Sequence, residues 1–311
     1  MLDSVKKNIL RILLYYDIFR HPLKPYEIFS LLPQNSISLS ELNNILEDHI
    51  LSNHISFKEG YYFVGQNDSY VDLRNKKEFF SKRAWTYARI VTHIIKRFPF
   101  VRAVFVTGSL SKNSSLPNSD LDFMVVTKSN RLWVCRTLLM LFKKLFLLNS
   151  YKYFCINYFI SEDSLEIEEK NIFTATEIVH IKSTYNTDLM KKFLEFNKSW
   201  LKKYFPNYRS GDPYFHSSGF KVNNKISYLQ KMLEVFFSGK PGGKLDSYLR
   251  DITRAHWNKK YFYINKNERE HMFKSTINVS KAHPGNMQKV ILNKYKERLK
   301  NFNLNYQGKN E

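Results

Sequence analysis

Residues 106–126 read "VTGSLSKNSSLPNSDLDFMVV". A Gly-Ser pair closes one apolar run, a polar stretch follows, and two aspartates one residue apart open a second apolar run. The flanks "VRAVFVTGS" and "LDFMVVT" are rich in β-branched and aromatic residues and predict strands. Gly108 lets the backbone bend and bring its N–H groups close to a ligand, and Ser109 adds a hydroxyl donor. Both suit the β- and γ-phosphates of a nucleotide. Asp120 and Asp122 stand at i and i+2 where the second strand starts, so their side chains are expected on one face, with Leu121 and Phe123 on the packed face. Two carboxylates held side by side repel each other unless a cation sits between them. Mg²⁺ takes such oxygens together with substrate phosphates.

Around this stretch the chain divides into three segments. Residues 1–66 predict three helices ("SVKKNILRILLYYDIF", "KPYEIFSLL" with Pro25 near its start, "SLSELNNILEDHI" with Ser38 or Ser40 as N-cap) and a hairpin about Lys58-Glu59-Gly60. That order is a winged helix. Its charges argue against duplex DNA as a partner: no Lys or Arg stands between Lys24 and Lys58, and the third helix carries Glu41, Glu47 and Asp48, which a phosphate backbone repels. Residues 67–180 hold the quoted stretch. A long helix over 70–98, with Phe79, Trp85, Ala88, Val91 and Ile95 on its inner face, leads into it; a helix over 130–148 and a third strand, "YKYFCINYFIS" (151–161), follow. Residues 181–311 are expected to be mainly helical, with breaks at 206–219, 239–243 ("GKPGG") and 283–285.

The chain has 311 residues, 43% of them apolar and 16% aromatic, which is the composition of a folded protein. Two cysteines outside any CxxC or Cys/His spacing point away from zinc and disulfides and toward a reducing, cytoplasmic setting. The N-terminus lacks the features of a signal peptide, and the apolar stretch around 132–148 is broken by Arg136, Lys143 and Lys144, so no membrane partner is expected. There is no Walker loop, GxSxG element or dinucleotide-binding glycine run. Net charge is +21, of which residues 1–180 contribute +5 (23 basic, 18 acidic) and residues 181–311 contribute +16 (26 basic, 10 acidic). Such a lobe attracts phosphates, nucleic acid or anionic surfaces, and it is equally the composition of lysine-clad helices. The aromatics Trp257, Tyr261, Phe262 and Tyr263 carry the same two readings, base stacking or burial beneath solvated lysines.

Gly108-Ser109, ten residues, then Asp120-Leu121-Asp122 between apolar strands, with Ser119 just before the aspartates, resembles the signature of the DNA polymerase beta-like nucleotidyltransferase superfamily. The nearest likeness is to bacterial nucleotidyltransferase-domain proteins with an N-terminal winged helix. The resemblance implies an α/β fold, an α+β nucleotidyltransferase core with a short mixed sheet, flanked here by the winged helix and a C-terminal helical region. It implies transfer of a nucleoside monophosphate from an NTP to a hydroxyl acceptor at a two-metal Mg²⁺ site. Asp120 and Asp122 would hold the metal, and Gly108, Ser109, Ser119 and the loop residue Lys112 would meet the phosphates. The superfamily's usual third carboxylate is missing. If Cys155, Asn157 and Phe159 share one face of the third strand, Asn157 stands where that acid would be. Three readings follow: Asn157 is an uncharged ligand in a working enzyme; Glu162 or Asp163 swings in as the third acid, although "SEDSLEI" also reads as the start of a helix; or the site binds nucleotide without efficient chemistry. The corresponding functions are a nucleotidyltransferase acting on a small molecule, a protein or an RNA end; a weak or inactive nucleotide-binding scaffold; and, least supported by the charges, a DNA-binding regulator.

Overall fold

A computed structural model of the chain describes residues 2–33, 37–50, 54–150, 152–220, 222–223 and 226–306; Tyr151, at the head of the expected third strand, lies outside the described residues. The first segment contains α1 (Leu2–Asp17), α2 (Pro25–Leu31), α3 (Leu39–Ile50), β1 (Ile55–Lys58) and β2 (Tyr61–Val64), in the expected order. Pro25 opens α2, where its missing N–H costs nothing. Ser38 caps α3: its Oγ accepts from the Glu41 amide at 3.2 Å, while its own amide donates to the Glu41 carboxylate at 2.7 Å. β1 and β2 form an antiparallel hairpin, and Leu23 bridges to Tyr62 on its other side.

α4 (Ser69–Ile95) buries Ala88, Val91 and Ile95 as expected, but Phe79 is 59% exposed. The first half of this helix lies against the turn after α1, whose free carbonyls want donors. Its inner face is therefore polar: Arg74 donates to Pro22 O at 2.9 Å and pairs with Glu27 at 3.0 Å, and Lys77 donates to Phe19 O at 2.8 Å. That orientation turns Phe79 to the outside.

The central unit is β3 (Val101–Val106), the single turn α5 (Gly108–Ser111), β4 (Asp122–Thr127), α6 (Leu132–Phe146) and β5 (Cys155–Ser161). β3 and β4 are antiparallel; β4 and β5 are parallel, which requires the crossover that α6 supplies. After them come α7 (Ile172–His180), β6 (Lys182–Tyr185), α8 (Thr187–Tyr204), α9 (Pro213–His216), α10 (Tyr228–Phe236), α11 (Gly239–Lys260), α12 (Lys266–Met272), β7 (Phe273–Ser275), β8 (Val279–Ala282) and α13 (Met287–Asn301). The sheet order β6-β3-β4-β5-β8-β7 makes a six-stranded mixed sheet. Both edges are built from the segment read as mainly helical. These strands span three or four residues each, too short to show a two-residue period. "GKPGG" is not a break but the first turn of α11, where Pro241 forfeits no intrahelical bond. A Cβ on Gly242 would lie 1.8 Å from Phe237 O, so that turn needs glycine.

The sheet separates two cores. Val104, Val106, Phe123, Val125 and Phe159 pack under α4, α6 and α11. Ala103, Phe105, Met124, Val126 and Ile160 face α7 and α8, and the same cluster continues from Val5 in α1 to Leu299 in α13. The first helices and the last helix thus cover one face of the central sheet. Phe193, Leu194, Trp200, Leu201 and Phe205 all enter this second core. Trp257 is buried and Tyr261 stacks on Phe273 at 4.3 Å, whereas Phe262 and Tyr263 are exposed.

Candidate nucleotide site

The end of β3 meets the start of β4 through Gly108 and Asp122. Gly108 has φ +64°, and a Cβ there would fall 2.3 Å from Asp122 Oδ2. Glycine is needed twice over, for the left-handed turn and for the approach of the carboxylate. Ser109 Oγ lies 3.3 Å from Ser115 Oγ. Ser119 closes the polar loop, its Oγ accepting from the Leu116 amide at 2.8 Å and its amide donating to Leu116 O at 2.9 Å. This turn delivers Asp120, which is exposed and precedes the strand proper. Leu121 and Phe123 point into the core as expected.

Asp122 is the half-buried member of the pair. Its Oδ1 accepts from Asn157 Nδ2 at 2.9 Å, and the Cys155 thiol is hydrogen-bonded to the same carboxylate. Burial, reinforced by the charges of Asp120 and Glu177, raises its pKa to about 6, while the Cys155 hydrogen bond pulls the other way. Asn157 reaches it through a bulge: Phe123 pairs with Ile156 but Met124 pairs with Tyr158, leaving Asn157 unpaired in the ladder. Asn157 and Tyr158 therefore both face the cavity described below. Phe159, expected on the face of Cys155 and Asn157, turns into the opposite core. Strict alternation fails at the residue that matters.

Glu162 and Asp163 are at the wrong end of β5. The Glu162 amide bonds to the carbonyl of Thr127, the last residue of β4. Cys155 pairs with Asp122 seven strand residues earlier, about 20 Å away at the usual rise. Neither acid completes this site, and no helix starts there; the next, α7, begins at Ile172. The carboxylate that does approach is Glu177 of α7. Both its oxygens accept from Lys112 Nζ at 2.8 Å, and Lys112 Nζ also reaches Gly108 O at 3.2 Å. Glu177 escaped the sequence reading because it lies 55 residues beyond Asp122 in the chain. One signal was available: it is the lone charged residue besides a terminal His in "IFTATEIVH".

A cavity of about 410 Å³ opens from these residues across the sheet face. Gly108, Ser109, Lys112, Asp122 and Asn157 line one end; Asp120 and Ser119 are outside it. The other walls come from distant parts of the chain and mix apolar side chains, among them Tyr15 of α1, Phe19 just after it, Met124, Phe173, and Met287 and Ile291 of α13, with polar ones such as Glu169, His271, Lys281 and Gln288. His21 also lines it. Its Nε2 accepts from the Arg74 guanidinium, and burial holds the imidazole well below its usual pKa, so the proton is on Nδ1. That Nδ1–H has no hydrogen-bond partner.

Among the described residues no group of three or more His, Cys, Asp or Glu side chains gathers as a metal site. The donors available to Mg²⁺ are two carboxylates, and the half-buried one is destabilised as an anion. A cation shared with phosphate oxygens fits that donor set. Among the described residues no helix is long and apolar enough to cross a membrane.

Residues 88–201 match the family model of the nucleotidyltransferase domain. No curated protein and no solved structure matches the chain. Residues 88–201 are a nucleotidyltransferase domain of the DNA polymerase beta-like superfamily, which implies an NTP substrate and transferase chemistry.

Proposed function

We propose that the protein transfers a nucleoside monophosphate from an NTP to a hydroxyl acceptor bound in the 410 Å³ cavity. The observation that carries the reading is the glycine-to-carboxylate contact at Gly108 and Asp122, placed at one end of that cavity inside the matched domain. Magnesium held by Asp120 and Asp122 would neutralise the triphosphate and polarise the phosphorus under attack. The turn at Gly108 and Ser109 would bind the terminal phosphates through its amides and hydroxyl, with Ser119 fixing the loop that carries Asp120. Asn157 is a positioning residue in this scheme: it holds Asp122 by its amide and keeps a carbonyl oxygen to offer the metal.

The acceptor oxygen attacks the α-phosphorus, the bond to the β-phosphate oxygen breaks, and pyrophosphate leaves. The acceptor's proton needs a base that Asn157 cannot be. Glu177 fills that role if Lys112 turns from it to the phosphates, since both line the cavity and Glu177 is already within electrostatic reach of Asp122. The walls contributed by α1 and α13 make these first and last helices the selectors of acceptor and base. Aromatic, aliphatic and polar side chains line these walls together, which suits an acceptor with both a flat or apolar part and hydrogen-bonding groups.

The test is incubation with each labelled NTP, Mg²⁺ and a cell extract as acceptor source. Label transfer with pyrophosphate release, abolished in Asp120→Asn/Asp122→Asn, is the expected result. Glu177→Gln should still bind NTP but transfer slowly. The Lys112–Glu177 pair and the uncharged Asn157 also favour a second reading, a nucleotide-binding scaffold. That reading expects NTP binding with no pyrophosphate release for any acceptor.

A further inference from the structure

α10 is built inside out. Two of its polar residues face the protein: buried Gln230 donates from Nε2 to Phe98 O at 3.0 Å, and Glu234 accepts from the Phe100 amide at 2.7 Å and from both terminal Arg102 nitrogens at 2.9 Å. Its apolar residues face away. Tyr228, Leu229, Met232, Val235 and Phe236 are 84, 59, 50, 72 and 77% exposed. They fall at i, i+1, i+4, i+7 and i+8, a single stripe of the kind that ordinarily seals a helix to its core. A second exposed apolar group stands at the end of α6, which Phe98 links to the base of α10: the rings of Phe98 and Phe142 are 5.3 Å apart and those of Phe142 and Phe146 5.1 Å, and Leu145, Phe146 and Leu148 are 62, 71 and 93% exposed. Exposed apolar surface of this kind marks an interaction site.

The charges around it choose the occupant. Within 138–148 and 228–244 the exposed charged residues are all lysines, Lys144, Lys231, Lys240 and Lys244, because the one carboxylate on α10, Glu234, is turned inward onto Arg102. A second copy would set lysines against lysines in a chain of net charge +21. Tyr228, Phe236 and Phe146 offer flat faces to bases, but Leu145, Leu229, Met232 and Val235 would find no partner on RNA, whereas a headgroup boundary covers both kinds. We propose that this face docks on an anionic lipid bilayer surface, the α10 stripe and the end of α6 entering the headgroup boundary while the lysines meet lipid phosphates. Lying on a membrane needs no spanning helix.

Co-sedimentation with phosphatidylcholine vesicles, with and without phosphatidylglycerol, tests this. Binding should require the anionic lipid and weaken about tenfold or more in Leu229→Ser/Val235→Ser/Phe236→Ser, a variant whose exposed sites leave the melting temperature intact. In a separate Phe236→Trp protein, tryptophan emission should shift to the blue on adding the anionic vesicles. No binding, equal binding by the triple variant (adsorption by charge alone), or no emission shift would overturn the proposal. So would a dimer in solution that the triple variant disperses, which would make the face a contact between copies.

Discussion

Glu27 is buried and Asp122 half-buried, and the protein treats them in opposite ways. Glu27 lies where α2 meets α4, ion-paired at 3.0 Å with Arg74, which also donates to Pro22 O and His21. The positive charge sits between two acids, Glu27 and Glu78, and the ring of Tyr61 covers it at 5.4 Å. Asp122 has an amide and a thiol for partners; burial raises its pKa to about 6, and the cation in electrostatic reach, Lys112, is paired with Glu177 instead. A buried charge that only holds segments together is neutralised on the spot. One whose nearby cation is committed to another acid is a candidate for receiving an incoming charge.

Breaking the second site should therefore cost function and spare stability. Asp122→Asn is expected to lower transfer by about 10²–10⁴-fold in a pyrophosphate-release assay. The same variant should be more stable than the parent at pH 7.5, by about 1–3 kcal/mol in denaturant melts. The sign follows from the raised pKa: the unfolded carboxyl ionises near 3.8 and the folded one at about 6. The folded parent bears the cost above pH 6, sheds it as pH falls, and should match the variant below about pH 4. An equal difference at both pH values would mean that the gain does not come from this carboxyl.

Breaking the first site should do the reverse. Arg74→Met strands Glu27 without a counter-ion and is expected to destabilise by about 3–5 kcal/mol, most of it recovered in Arg74→Met/Glu27→Leu. Thermal melts of the three proteins decide this, and a double variant no better than the single would deny the pairing. Gly108→Ala joins both kinds of effect. The left-handed turn should cost about 1–3 kcal/mol, and the methyl would drive Asp122 from its place, lowering NTP binding measured by calorimetry. Asn157→Ala is the mildest: a 10–100-fold fall in kcat with an unchanged melt, since it frees Asp122 to rotate without removing a charge.

Reading the chain without its fold reached the Gly-Ser turn, the paired aspartates and Asn157, because all of them lie within or beside three consecutive strands. It placed Phe159 on the wrong face, since a bulge is a matter of register between two strands and leaves no mark in one. It looked for the third acid close by in sequence, at Glu162 and Asp163, whereas strand direction carries those to the far end of the sheet. The chain's return through α7 brings Glu177 instead.

Local chemistry was enough for what is local: the α/β character of 88–201, the glycine of the turn after β3, the aspartate pair, and the absence of Lys and Arg on α3. These depend on side-chain spacing along one or two elements, which periodicity and turn chemistry determine directly. The cavity walls from α1 and α13, the free donor on His21, the sheet edges made of three- and four-residue strands, and the outward apolar face of α10 were decided only by tertiary structure. Each depends on what packs opposite a residue. α10 makes the point most sharply: its pattern predicts an apolar inner face, and only the waiting amide of Phe100 and guanidinium of Arg102 explain why the polar side went in.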